Sequence, residues 1–438
     1  MLYKTVLVLC IVCEREHPLL FGDLVTNQND PASVETDAHD DPATSDWGRD
    51  LDILDQRYIN DPFSVWQELR NDCPVAFSER HGRSWMPINY DDISAIAHDT
   101  EHFSSRRVGV IDLPDGGDGP LLEAPPITSD PPDHTWARRL LLPAFSPTRI
   151  EALTPITQSF AKELVDAVVH QNHADAAVDY AQHIPVRVIA HMLGVPATDE
   201  QMFTDWAVRI LQEGFQDLEN SLDAILEVLD YFGERVEERR RIPVDSRPDD
   251  LITMLMEADH NGDPLGKRHL LGSCFLLLIA GIDTTWSGIG ASLWHLATHP
   301  EDQAPLRADP SLIDTAVEEM LRMYSPVNMG REVLVDVEAA GCPMKAGDKV
   351  IMAFPAGNRD PAHFERPDEF IIDRAHNRHF AFGSGIHRCL GSNLARMELK
   401  VAVQEWLTRI PTFELVDPDL VTWTGGQVRG PRTVPVRW

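Results

Sequence analysis

Apolar residues recur at helical spacing over 62–70, 135–144, 151–170, 180–193, 199–213, 220–241 and 311–323, and each stretch predicts an amphipathic helix. Pro and Gly punctuation separates most of them, as at Gly194-Val195-Pro196 and Asn261-Gly262-Asp263-Pro264. Strand-like pieces are short and few, near 74–77, 84–89, 333–337, 348–353 and the C-terminus. Neither an internal repeat nor a βαβ alternation runs through the chain. The expected fold class is mainly α with a small β portion (α+β), a single domain over 51–438.

The segment 265–298 departs from the amphipathic pattern. Between Arg268 and Glu301 it carries one charged residue, Asp283. A helix of that length spans roughly 45–50 Å, the width of a domain, and a helix apolar on every side belongs in a core. A lone carboxylate there is costly unless it has a partner or a task. Thr284 follows it, four residues after Ala280, and a helical Thr hydroxyl can bond the i−4 carbonyl and bend the helix. Two readings of Ala280-Gly281-Ile282-Asp283-Thr284-Thr285 stand. One is a functional flaw in a central helix; the other is a break with Asp283 as the N-cap of a second helix.

With 43% hydrophobic and 25% charged residues over 438 positions, the composition excludes disorder of the whole chain. Lys and Arg number 38 against 70 Asp and Glu, a net charge of −32 that repels phosphate backbones and anionic lipid. Neither nucleic acid nor a membrane is an expected partner. The six cysteines are too scattered for a disulfide framework and indicate a reducing, cytoplasmic compartment and a soluble protein. Cys10 and Cys13 lie in an apolar run, 5–13, that falls short of the ~20 residues of a spanning helix and lacks a cleavage site after it. Residues 23–50 are acidic and aperiodic, so 1–50 is expected to be a disordered extension.

Near the C-terminus, the run FAFGSGIHRCLG occupies 380–391. Glycines two apart make a tight loop whose backbone can approach a flat ligand. Cys389 ends the loop ahead of a helical pattern, where the positive helix end favours a thiolate. A thiolate on a glycine loop beneath a broad apolar helix suits a thiolate-ligated haem. A buried structural cysteine is the alternative, and a zinc site from His376, His379, His387 and Cys389 is another, although the spacing matches no known zinc turn.

AGIDTT (280–285), Glu319-Met320-Leu321-Arg322 and FGSGIHRCLG (382–391) resemble, in order and separation, the oxygen-activation, ExxR and cysteine-loop motifs of the cytochrome P450 family of haem-thiolate monooxygenases in its soluble bacterial form. The ExxR alone carries little, since Glu237/Arg240 and Glu238/Arg241 share its spacing. The resemblance extends from about residue 51 to 438 and implies that Cys389 is the proximal iron ligand of haem b (iron protoporphyrin IX), held in a loop containing Gly383 and Gly391. His134, Arg138, Arg331 and His387 would meet the haem propionates. Glu319 and Arg322 would be structural, completed by an arginine before the cysteine. Glu369 stands where that arginine often sits, so Arg366, Arg374 or neither takes its place. Asp283 and Thr284 would form an acid–alcohol pair that delivers protons.

Substrate contacts are implied in the 105–125 loop, at Ala280 and Gly281, from Val327 to Met329, and at Gln427 and Val428. These positions are mostly small and apolar, so a hydrophobic small organic substrate is expected. The implied reaction inserts one atom of O2 and reduces the other to water. Electrons would come from NAD(P)H through a separate ferredoxin and ferredoxin reductase, docked on a local basic patch from Arg139, Arg388 and Arg396. The alternatives are a hydrogen-peroxide-dependent peroxygenase, whose members usually lack the acid–alcohol pair, and a non-catalytic haem sensor or electron carrier.

Overall fold

A computed structural model describes residue 44 and residues 46–80, 82–111 and 122–438. The expectations for residues 1–43, including Cys10 and Cys13, and for 112–121 of the substrate loop lie outside these residues. Folded contacts begin before Leu51. The Trp47 ring packs 6.2 Å from Tyr58, the Gly48 carbonyl accepts from Phe77 N–H at 3.0 Å, and Asp50 pairs with Arg80 at 2.6 Å.

The apolar segment forms one helix, Lys267–Thr298, of 32 residues. Asp283 lies inside it with helix on both sides, so the reading of Asp283 as an N-cap after a break is wrong. Burial of nearly the whole helix surface supplies what the hydroxyl and carboxylate take away. This helix is long and apolar enough to cross a membrane, but most of its apolar surface is buried within the protein. Packed against it are the helices His183–Leu193, Leu218–Arg240 and Ser392–Arg409 and the strand Gly430–Thr433.

The predicted helices are all present. Pro62–Asp72, Asp133–Leu141, Thr154–Val168, Glu200–Ala207 and Ile313–Met323 match their periodic stretches. Gly194 ends His183–Leu193 in the left-handed region at φ 71°, as the Gly-Val-Pro punctuation requires. Single π turns, Ala176–Ala181 and Val208–Gln212, adjoin two of the helices. Shorter helices such as Gln56–Asn60, Tyr90–His98 and Leu251–Glu257 were too brief to show a period.

Strands gather chiefly into a five-stranded sheet in the order Val75–Ser78, Ser84–Pro87, Lys349–Met352, Met329–Val333, Phe103–Ser104. Its pairs are antiparallel apart from Lys349–Met352 beside Ser84–Pro87. The strand expected over 333–337 instead ends at Val333, and Val337–Ala339 belongs to a separate hairpin with Cys342–Met344. In the sheet, Arg331 pairs with Val350 and is carried into the protein interior, where it is 4% exposed.

Candidate active site

The cysteine loop is held by backbone as much as by side chains. Cys389 N–H donates to the Phe382 carbonyl at 2.7 Å, closing the loop on itself. Gly385 lies at φ 69°, and a Cβ there would collide with the Ala97 carbonyl, so glycine is required on both counts. Gly383 shares the left-handed region at φ 68°. A Cβ on Gly391 would sit 3.9 Å from the Cys389 sulfur. The helix expected to open at Cys389 starts three residues later, at Ser392. Cys389 therefore receives the Gly391 N–H rather than a helix end. Its sulfur keeps accessible surface, yet the surrounding protein desolvates it, and burial pushes the thiol up despite Gly391 N–H, Arg138, Arg388 and Arg396. A thiolate favoured by protein alone is thus not found; ligation to a cation would be what ionises this thiol.

Four cationic or imidazole side chains converge beside the loop. His134 and Arg138 lie on one face of Asp133–Leu141, and the His134 and His387 rings are 4.2 Å apart. Arg138 Nη2 donates to the Arg388 carbonyl at 2.5 Å, and Arg331 Nη1 to the Gly330 carbonyl at 2.7 Å. Burial and then Arg331 push His387 down to about 2. Burial also lowers His134, with Arg138 adding to it, and brings Arg331 down to about 10, opposed by Asp130. The Nε2 atoms of His134 and His387 are buried with no hydrogen-bond partner. Buried polar atoms without partners are rare, and a positive cluster short of carboxylates calls for an anion. Two carboxylates borne on a flat macrocycle over Cys389 meet both needs, so the residues fit haem. The zinc reading does not hold: His379 is paired with Glu318 at 3.1 Å, and among the described residues no three His, Cys, Asp or Glu side chains could hold a metal together.

On the central helix, the otherwise buried surface is interrupted by an accessible stripe. Leu276, Ala280 and Thr284, four residues apart, retain exposure together with Gly281, while Ile282 and Asp283 are buried. Thr284 Oγ1 donates to the Ala280 carbonyl at 2.9 Å, the predicted i−4 bond. Its lone pairs stay available as acceptors. Asp283 is 0% exposed and accepts from Gln212 Nε2 at 2.8 Å and from Arg432 at 3.0 Å. Burial pushes Asp283 up; Arg432 and Gln212 oppose it. Arg432 reaches the helix because Gly430, which passes against Ser287, has no Cβ to obstruct the strand. The Arg432 guanidinium lies 4.5 Å from the Trp286 ring, and its Nε and Nη1 find no partner.

Glu319 and Arg322 are both fully buried and paired at 2.8 Å. The arginine that completes them is Arg374, whose Nε reaches both Glu319 oxygens at 2.9 Å. Arg366 pairs at the surface with the Glu369 side chain. Glu369 contributes its carbonyl, which accepts from Arg322 and Arg374.

The proposed substrate positions divide. Val327 and Val428 form a β-bridge that brings two remote segments together. Val428 is only 2% exposed, whereas Val327 and Met329 are half-buried. Gln427 is already used: Oε1 accepts from Val110 N–H at 2.9 Å, and Nε2 donates to the Asn328 carbonyl at 2.6 Å. It is a clamp across the segments rather than a free polar contact. Among the docking cations, Arg139 and Arg388 are exposed, but Arg396 is tied to Glu318 at 2.5 Å and lies over Phe382.

Gln212, Arg432 and Glu398 escaped sequence reasoning. The first two carry no local signal, because their partner is 71 and 149 residues away. Glu398 is 2% exposed, has an unpartnered Oε2 and is pushed up to about 8 by burial alone.

Comparison with known proteins bears on this geometry. Residues 191–418 match the family model described as Cytochrome P450. The chain is 34% identical over 399 residues to the polyketide biosynthesis cytochrome P450 PksS of Bacillus subtilis, covering 87% of this chain and 96% of that one. It is 35% identical over 365 residues to the mycinamicin IV hydroxylase/epoxidase of Micromonospora griseorubida, covering 81% and 89%. The structure of CYP109Q5 from Chondromyces apiculatus superposes with a TM-score of 0.79 at 33% identity, covering 89% of this chain and 98% of that one.

Proposed function

The chain belongs to the cytochrome P450 family and is a P450 monooxygenase, and from that premise we propose that it oxidises a hydrophobic small molecule with electrons from a separate ferredoxin and ferredoxin reductase. The cofactor is haem b, which when bound supplies the iron centre at which O2 is activated. Cys389 would bind its iron, and His134, Arg138, Arg331 and His387 would hold its carboxylates; the unpartnered Nε2 atoms beside Cys389 carry this reading. The accessible stripe at Ala280, Gly281 and Thr284 supports an apolar substrate, together with Val327 and Met329. A cytoplasmic, soluble enzyme accords with the scattered cysteines and with the −32 charge, which repels anionic lipid.

Thr284 offers the lone pairs of its hydroxyl oxygen to the reacting centre while its O–H donates to the Ala280 carbonyl. Asp283 sits one residue along, buried and held by two donors that oppose its burial. A carboxyl poised in this way takes up a proton and gives it back. The intact Asp283–Thr284 pair favours O2 chemistry over the peroxygenase reading. Thr284→Ala is expected to keep haem and substrate affinity while diverting NADH electrons to hydrogen peroxide. Asp283→Asn is expected to slow turnover with a larger solvent isotope effect. Unchanged coupling in the first and unchanged turnover in the second would overturn the assignment. Substrate class is tested by screening compounds for a shift of the haem absorption, with hydrophobic compounds giving the shift.

A further inference from the structure

At the C-terminal end of the central helix stands a buried polar chain that the oxygen site does not use. Tyr324 Oη is 2.7 Å from His295 Nδ1, and His295 Nε2 is 3.0 Å from Asp302 Oδ2. His295 is 1% exposed and Tyr324 is 9% exposed. The Trp294 ring meets Tyr324 edge-on at 5.5 Å and Trp423 at 5.2 Å. Trp423 is half-buried, with the Arg429 guanidinium 4.2 Å from its ring.

The hydrogen-bond directions follow from the chemistry. Burial lowers His295 and so favours its neutral imidazole, with Nε2 facing the Asp302 carboxylate. The nitrogen facing Asp302 carries the proton, and Nδ1 must therefore accept from the phenol. A phenol yields an electron far more readily when a base can take its proton in the same step. The other described tyrosines lack such a partner. Tyr58 donates to the Met86 sulfur, Tyr180 to the Ala402 carbonyl and Tyr90 to the Arg378 carbonyl. Tyr231 donates to the Asp199 carboxylate, a much weaker base than imidazole.

We propose that Tyr324, Trp294 and Trp423 form a redox relay in which Tyr324 is a proton-coupled electron donor and His295 its base. The Tyr324 O–H bond breaks; one electron goes to a one-electron oxidant and the proton goes to His295 Nδ1. What remains is a neutral tyrosyl radical beside an imidazolium that faces Asp302. One electron from a solution reductant such as ascorbate or a thiol returns through Trp423 and Trp294, and the proton returns from His295. In the working enzyme a haem held at Cys389, with hydrogen peroxide as co-reactant and no substrate present, would supply that one-electron oxidant. This last clause alone rests on the haem reading. Trp294 lies ten residues beyond Thr284 on the same helix, about 15 Å along its axis.

The test uses the substrate-free holoenzyme, with a radical generated in one arm by a photo-excited ruthenium polypyridyl oxidant and in the other by hydrogen peroxide. Freeze-quenched electron paramagnetic resonance is expected to show a tyrosyl signal in both arms that is lost in Tyr324→Phe. His295→Gln is expected to reduce its yield, and Trp423→Phe to slow its decay with ascorbate. Should Tyr324→Phe fail to fold, 3,5-difluorotyrosine at position 324 keeps the phenol and is expected to add fluorine splitting to the signal. A signal that survives Tyr324→Phe, shows no fluorine splitting, or vanishes instead in Tyr231→Phe overturns the relay. A signal in the ruthenium arm but none with peroxide overturns the haem as its oxidant and leaves the relay standing.

Discussion

Two carboxylates are buried completely among the described residues, Glu319 and Asp283, and they have opposite fates. Glu319 accepts from Arg322 Nε and Nη2, from Arg374 Nε, from Ile371 N–H and from Asn377, all within 3.2 Å. Burial pushes it up, but Arg322, Arg374 and the Ile371 N–H outweigh the push, and it stays ionised below its ordinary range. Asp283 has only Gln212 and Arg432, and there burial prevails. A saturated network fixes one charge state and with it one structure. A thinly held carboxylate keeps both charge states within reach, as proton transfer demands. The same contrast separates the saturated Glu319 network from the unpartnered imidazoles beside Cys389.

The largest expected effect concerns the one residue whose chemistry cannot be shared. Cys389→Ala is expected to abolish the thiolate-type carbon monoxide spectrum of the reduced protein, whereas substitutions of Cys73, Cys274 and Cys342 leave it intact. A spectrum that persists in Cys389→Ala would reassign the ligand. Next is the saturated network. Arg374→Ala strips Glu319 of one guanidinium in a fully buried site, and breaking a buried pair costs on the order of 3–5 kcal/mol. A fall in the urea midpoint without a change in slope is the expected reading; a midpoint unchanged from the parent would show that Arg322 alone holds Glu319.

How much of this was legible beforehand depended on sequence distance. The central helix was visible because burial on all sides leaves a local pattern, one charge in a long apolar run. The cysteine loop was visible because close approach demands glycines at fixed spacing. The completion of the Glu319 network was not, because either Arg366 or Arg374 is near enough in sequence and only the turn between them decides which enters the core. Arg432 was invisible for the same reason, arriving from the last strand along a track opened by Gly430. Cys389 itself was located, but its ionisation was misjudged: three residues separate it from the helix, so desolvation outweighs any helix dipole.

Arg432 is where the thinly held carboxylate can be pushed further. Asp283 has a folded value above its unfolded one, so the native state holds the proton more readily through that window, and stability falls as pH rises across it. Arg432 limits the window by favouring the charged form. Arg432→Gln therefore extends it upward, and the cost grows with pH: smaller at pH 5, where a proton can more readily replace the guanidinium, and on the order of 3–5 kcal/mol at pH 8. Urea unfolding at the two pH values measures this. An equal loss at both would show that Arg432 acts through packing on Trp286 and not through the Asp283 charge.

The smallest effect is expected at Arg366, and it isolates what Arg374 does. Both arginines lie in the segment before the cysteine loop, yet Arg366 is exposed and pairs at 3.1 Å with an equally exposed Glu369. Solvated pairs of this kind contribute between nothing and about 1 kcal/mol. The backbone of Arg366 matters more, because its carbonyl accepts from Arg374 Nη2 at 3.1 Å. That carbonyl is placed by a residue at φ 49°, the left-handed region that glycine enters without strain. Arg366→Gly thus loses a weak ion pair, relieves a strained backbone and leaves the acceptor for Arg374 in position. The gain and the loss are of similar size, so the melting temperature is expected to stay within a few degrees of the parent, about the span that 1 kcal/mol moves a protein of this size. A collapse of stability in Arg366→Gly comparable with that of Arg374→Ala would mean that the Arg366 side chain, and not its carbonyl, completes the buried network.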